Sequence, residues 1–311
     1  MPPGAVPPVK VRASFLLTIL TVAAARTAAA QDPADTDTTR HAKGGSQFLI
    51  PLGSMVVPGL GQYLHGATLP GLAFTGTALG GYALYSEHET DVDLSDLPRD
   101  GDRQLGYAGL FLVSGASFVS ASDAFSRAIP DLQREGKYGF LTNRKTTASL
   151  FTAPFDPQFL GRWTTWIHLA YTGAVAAIVL GDRAPGVSYE PYRARDAAFA
   201  TGLSLSAGIG EEAVFRGWLF PLFHQSFGQR FWLSNGLQSV LFGGGHADTQ
   251  GAFALITTGW AFYEGWLTQR NGWNIRESIF HHFWYDVVIV SAEFLTDARV
   301  PVAITFPTIR F

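Results

Sequence analysis

The sequence predicts an all-α protein, a polytopic transmembrane helical bundle of seven to eight spans after a signal peptide. Three observations predict it. Charged residues are only 15% of the 311 residues, where about a quarter is usual for a soluble domain. Hydrophobic residues reach 47% and fall in runs of helix length. Many of the 34 glycines and 17 prolines lie inside those runs, a placement that breaks helices in water and is tolerated in a membrane bundle. The same composition excludes a disordered chain. A formal net charge of −3 with no basic face excludes a nucleic-acid binder. Cysteine is absent, which removes disulfides, thiolate metal sites and cysteine catalysis.

The elements follow in chain order. Lys10 and Arg12 precede an apolar stretch from Phe15 to Ala25, and Ala28, Ala29 and Ala30 stand before Gln31. That is the pattern of an export signal, 1–30, with a run too short to span a bilayer. Residues 31–46 (QDPADTDTTRHAKGGS) form a polar lead-in. Apolar runs then occur at about 48–64, 69–86, 105–126, 160–181, 197–226, 230–246, 251–270 and 276–296. The first is short, contains Pro51 and Pro58, and is the marginal one. All eight tryptophans lie beyond residue 160, several near the ends of runs, as an aromatic belt would place them. The chain divides into an accessory N-terminal membrane region, 47–157, a second membrane domain, 158–298, and a tail, 299–311. The expected location is a bacterial inner membrane, crossed several times, with membrane lipid as a partner.

The informative residues are the ionisable ones within those runs, because a charge at hydrocarbon depth is costly and marks function by default. The run 197–226 carries Glu211 and Glu212, with Arg216 one turn beyond. Glu212 and Arg216, at i and i+4, can pair along one face. Glu211 is rotated by about 100° and lacks that partner. His246 follows three glycines, which allow close approach of a backbone or substrate. His282 and Asp286 share a helix face. With turns at Gly228 and Gly272, Glu211 and His246 both lie roughly 26 Å from the first turn, and Asp286 lies roughly 21 Å from the second. Three helices therefore bring two glutamates, two histidines and an aspartate to one level, as bundle-core sites are built.

A carboxylate beside an imidazole can polarise water and take its proton. A dehydrated setting raises the carboxylate toward the pKa of a useful base. A second imidazole with a polar partner can hold an oxyanion. Two histidines and a carboxylate could instead hold a divalent ion, although no HExxH helix occurs here. Simpler roles stay open: a buried ion pair fixing register at Glu212–Arg216, a helix end at His246, a polar pair at His282–Asp286. His281 is expected to face away from this group. Glu264 is undecided, and His65, His88, His168 and His224 carry no pattern.

The strings EEAVFR (Glu211 to Arg216), FGGGH (Phe242 to His246) and HFWYD (His282 to Asp286) resemble the three motifs of the CPBP intramembrane proteases, which include the type II CAAX prenyl endopeptidases. The resemblance covers roughly 160–296. It implies a helical membrane fold with a site among the helices, Glu211 as the base that activates water, and His246 assisting. It also implies that His282 and Asp286 hold the oxyanion or the water, with Glu212 and Arg216 in support. Asp286 stands where prenyl endopeptidases typically carry Asn. The cofactor is left as a divalent metal such as zinc, or none. The expected function is an intramembrane endopeptidase acting on a membrane-associated peptide or protein. A non-catalytic scaffold or immunity protein that keeps the fold is the alternative, and a transporter is the weaker third reading.

Overall fold

The computed structural model describes residues 47–88, 98–181 and 191–296. The leader at 1–30, the lead-in at 31–46 and the tail at 299–311 lie outside the described residues. Every regular element among the described residues is helical, in keeping with the expected all-α class. Two short helices open it, α1 (Leu49–Val56) and α2 (Leu60–Leu64), broken apart at Val57–Gly59, where Gly59 has a φ of 99°. Then come α3 (Thr68–Glu87) and the long α4 (Gly101–Arg134). A short α5 (Thr147–Leu150) and two 3-10 turns lead into α6 (Trp163–Gly181). The second half holds α7 (Ala194–Val214), a π-turn (Phe215–Leu219), α8 (Phe220–Ser226), α9 (Phe231–Gly245), the single-turn α10 (Ala247–Gln250), α11 (Ala254–Arg270) and α12 (Arg276–Thr296).

α4 is the spine. Asp100 caps it, accepting from the Arg103 backbone N–H at 2.8 Å, and Asp102 and Arg134 complement its dipole at either end. Thirty-four residues make it roughly 51 Å long. It packs on α1, α3 and α7, and α7 in turn packs on α12. α12 also lies against α6, and α9 pairs with α11. The core between these helices is aromatic: Phe125, Phe220, Phe223 and Phe294 are fully enclosed, with Trp218 and Tyr138 beside them. Turns reverse the chain at Gly228 (φ 64°) and Gly272 (φ 66°), where the helix arithmetic put them.

The expectation of seven to eight spans is corrected here. Among the described residues only two helices are long and apolar enough to cross a membrane, Gly101–Arg134 and Trp163–Gly181. The expected multi-pass location in an inner membrane falls with it. The physical reasons differ from run to run. The run 48–64 is two short helices. The runs 230–246 and 251–270 yield helices of 15 and 17 residues, below the roughly 20 that a bilayer needs. α7 and α12 are long enough but carry Arg195, Asp196, Glu211 and Glu212, or Arg276, Glu277, Asp286 and Glu293. In α3, glycine, threonine and serine dilute the apolar residues.

The small residues of α3 and α4 have a local cause. A Cβ on Gly109 would stand 2.5 Å from the carbonyl oxygen of Gly81, and one on Gly81 would stand 2.7 Å from that of Gly109. The two helices meet backbone to backbone at this point. Gly109→Ala is therefore expected to lower stability by about 1–3 kcal/mol. Gly80→Ala, with nothing within 4 Å of the new atom, should be neutral or gain up to about 1 kcal/mol from helix propensity. Thermal unfolding of the two variants side by side checks this, and equal midpoints would contradict the close approach.

Candidate functional site

α7 is fixed at its start by a reciprocal cap in which Asp196 accepts from the Arg193 backbone N–H at 2.9 Å. Gln104 of α4 donates to the other Asp196 oxygen at 2.7 Å. Glu211 and Glu212 come in the last turn before the helix widens into the π-turn. Such a turn inserts one extra residue into the helix and is frequent at functional sites. Here it re-aims Arg216. Its Nη1 donates to Glu212 Oε1 at 2.8 Å, and its Nη2 donates to the carbonyl oxygen of Ala261 in α11 at 3.2 Å. The guanidinium lies 4.5 Å from the Phe242 ring centroid and 5.4 Å from that of Trp260, in cation–π contact. Arg216 is 1% exposed and Glu212 not at all.

Glu212 is shared. The same Oε1 accepts from His282 Nδ1 at 3.0 Å. That bond turns the other ring nitrogen, Nε2, toward Glu211 Oε2 at 3.8 Å and Asp286 Oδ2 at 3.5 Å. Burial works against a charge on His282, but the carboxylates of Asp286, Glu212 and Glu211 outweigh it and raise its pKa to about 9. His282 is an imidazolium held between acids.

His246 is the opposite case. It ends α9, and its ring lies on Phe242 with centroids 4.6 Å apart. Its Nδ1–H donates to the carbonyl oxygen of Phe242 at 2.7 Å, so Nε2 is the acceptor side, 3.7 Å from Glu211 Oε2. Burial drives its pKa down to about 4, and it is neutral. The glycines before it divide into two kinds. A Cβ on Gly243 would lie 1.9 Å from Thr258 Oγ1, where α9 and α11 touch, whereas Gly244 and Gly245 face open space.

Glu211 stands between the two histidines, 3% exposed. Burial pushes its pKa up to about 8, with His282 opposing and Asp286 and Glu212 adding. Burial likewise raises Asp286, to about 6. Glu211 Oε2 and Asp286 Oδ2 are buried with no hydrogen-bond partner. Both line a partly open cavity of about 40 Å³ together with Phe242, Trp260, Tyr171 and Tyr285, enough for a few water molecules. Gln250 and Thr257, hydrogen-bonded to each other, line it too. All six sequence-derived residues thus meet around one pair of interactions, with Glu212 and Arg216 behind and Glu211, His246, His282 and Asp286 at the cavity. The sequence reading did not single out Trp260, Tyr171 or Tyr285. Tyr285 adjoins Asp286 within HFWYD, and that adjacency is the one signal for it.

A second buried cluster lies behind Trp260. His281 Nδ1 is 3.0 Å from Glu264 Oε1, and its Nε2 is 3.1 Å from Thr165 Oγ1. His168 Nδ1 is 3.7 Å from the same Glu264 oxygen and accepts from Trp260 Nε1 at 3.4 Å. His281 thus faces away from Glu211, as expected. Among the described residues this is the only trio of His, Asp or Glu whose ligand atoms all lie within 4.8 Å of one another. Its donor types suit zinc. Its geometry does not: the His168 and His281 rings are stacked 4.4 Å apart and 4° from parallel, so no point lies in both ring planes, where a coordinated ion must sit. Around Glu211 the Nε2 atoms of His246 and His282 stand 3.7 and 3.8 Å from its Oε2, and these three residues do not form such a trio. Neither arrangement fits a metal as it stands.

Removing one side of the buried pair strands the other. Arg216→Met is expected to cost about 3–5 kcal/mol, read from the urea midpoint. Adding Glu212→Gln should recover part of that loss, because it removes the stranded carboxylate charge and keeps an acceptor for His282 Nδ1. A double variant no more stable than Arg216→Met would argue against the pair as the source.

Residues 193–288 match a family model described as type II CAAX prenyl endopeptidase Rce1-like. The matched stretch holds all six residues of the site. No curated protein and no solved structure gives a match. Over that stretch, under a third of its length, the chain is similar to the Rce1-like type II CAAX prenyl endopeptidases.

Proposed function

We propose that the chain is a peptide hydrolase in which Glu211 and neutral His246 activate a water molecule in the cavity beside them. One observation carries the reading: two acceptors, Glu211 Oε2 and His246 Nε2, stand 3.7 Å apart at a cavity with room for water. A water there donates one hydrogen to each and keeps a lone pair for attack. That spacing is too long for a direct hydrogen bond.

In the step itself, ionised Glu211 takes a proton from water while the oxygen attacks the peptide carbonyl carbon. The C=O π pair moves onto oxygen, and the Nε2–H of charged His282 faces that developing anion. As the tetrahedral intermediate collapses, the C–N bond breaks and Glu211 returns its proton to the leaving amine. Glu212 and Arg216 act through His282 and are positioning residues. Asp286 helps keep His282 charged, which gives the carboxylate a role where the resembling family typically has an amide. No metal enters this scheme, since the donors are not spaced for one.

The experiment is to label new peptide N-termini in cells making the wild-type chain and in cells making Glu211→Gln. Cleavage products present with the first and lost with the second are expected. Identical profiles from an equally abundant, folded variant would overturn hydrolysis. Identical profiles would favour the non-catalytic reading.

The pH profile follows from the two raised groups. The base must be ionised, so the rate climbs as pH rises through about 8. The oxyanion donor must keep its proton, so the rate falls above about 9. The expected profile is a narrow bell on the alkaline side. Asp286→Asn removes one carboxylate from His282 and should move the alkaline limb to lower pH. An unmoved limb would show that Asp286 does not hold that proton.

A further inference from the structure

A second cavity, of about 20 Å³, shares no lining residue with the first. Ser122 and Ser126 of α4, Arg144 and Lys145 of the following loop, Thr147 of α5 and Arg216 line it. No carboxylate lines it. Neither Arg144 nor Lys145 makes an ion pair among the described residues. Arg144 Nη2 donates to Ser126 Oγ at 2.6 Å, while its buried Nη1 has no partner. Arg216 Nε is likewise buried and without a partner. The nearby Asp123 is already taken: it accepts from Arg127 Nε and Gln62 Nε2 on one oxygen and from Thr147 Oγ1 on the other.

We propose that this cavity is an anion-binding site that takes a single compact oxyanion group, a carboxylate or a phosphate, between Arg144, Lys145 and the Nε–H of Arg216. An unpartnered buried guanidinium N–H is costly, and two at one small cavity call for an acceptor with several lone pairs. Planar or tetrahedral oxyanions match the guanidinium fork. The Ser126 and Thr147 hydroxyls are already spent on the Ser122 carbonyl oxygen and on Asp123, so the cationic N–H groups are the donors on offer. Burial also pulls the pKa of Arg144 down to about 10, with Asp123 and Tyr138 partly opposing, a strain that a bound anion would relieve. The cavity has room for one or two oxygens and is open on one side, so the rest of the ligand would lie at its mouth toward exposed Lys145. The site makes no use of the hydrolytic reading, and its test does not need activity.

The test is thermal unfolding of the full chain, with phosphate titrated against chloride at matched ionic strength. A parallel arm compares a short peptide having a free C-terminal carboxylate with the same peptide amidated. A saturable rise in the midpoint with phosphate, with the free acid, or with both is expected, and the arm that responds names the source. Arg144→Gln and Lys145→Gln should each weaken it roughly tenfold or more, while Glu211→Gln should leave it intact. No saturable rise in either arm, as when water alone fills the cavity, would overturn the proposal. An equal rise in Lys145→Gln, an exposed position that does not threaten folding, would overturn it as well.

Discussion

The buried contact between Arg216 and Glu212 is the constraint on which the rest of the site depends. A guanidinium and a carboxylate with almost no exposure depend on their mutual contact and on the arms that find partners, while Arg216 Nε and Glu212 Oε2 find none. Here the arms reach three helices. Glu212 belongs to α7 and receives His282 from α12. Arg216 grips the backbone of α11 at Ala261 and lies against Phe242 of α9. One ion pair therefore ties together four of the helices that line the cavity, α7, α9, α11 and α12, and Tyr171 of α6 and Gln250 of α10 complete the lining. It follows that the side chains at the cavity and those holding the bundle are linked through shared atoms, above all Glu212 Oε1, which accepts from both Arg216 and His282.

That sharing also separates the two histidines electrically. Both are buried and both face Glu211, yet one is charged and the other neutral. The difference lies in what holds Nδ1. A backbone carbonyl accepts from His246, and a carboxylate accepts from His282, whose other nitrogen meets Asp286. Two rings of the same chemistry thereby become an acceptor and a donor on opposite sides of one glutamate. The second cluster repeats the theme without a cavity. Glu264, His281 and Thr165 form a continuous hydrogen-bonded chain joining α11, α12 and α6, and serve as a strut behind Trp260.

Legibility in the sequence follows distance along the chain. Glu212 with Arg216 and His282 with Asp286 are one turn apart, so helix geometry alone brings each pair together. Glu211 and His246 become neighbours through equal helix lengths on either side of Gly228, which is simple arithmetic once the turn is placed. The His168–Glu264–His281 cluster draws one residue from each of three helices and has no local pattern to betray it. The count of spans misleads for a related reason. Apolar runs were read without knowing that their polar members have partners across the bundle. Asn235 and Gln238 of α9, for example, donate to the carbonyl oxygens of Phe262 and Ala261. The π-turn is invisible too, since no residue pattern in FRGWL sets it apart from an ordinary helix.

That turn has a consequence for how the gene can change. Its five residues contain one more than a regular helix would need. Losing a single codon there would let the segment relax into regular helix and remove the wide turn between Glu212 and α8. Point substitutions can erode this centre step by step, whereas an in-frame loss of one residue between Phe215 and Leu219 would dismantle it at a stroke, with the hydrophobic content of the chain almost unchanged.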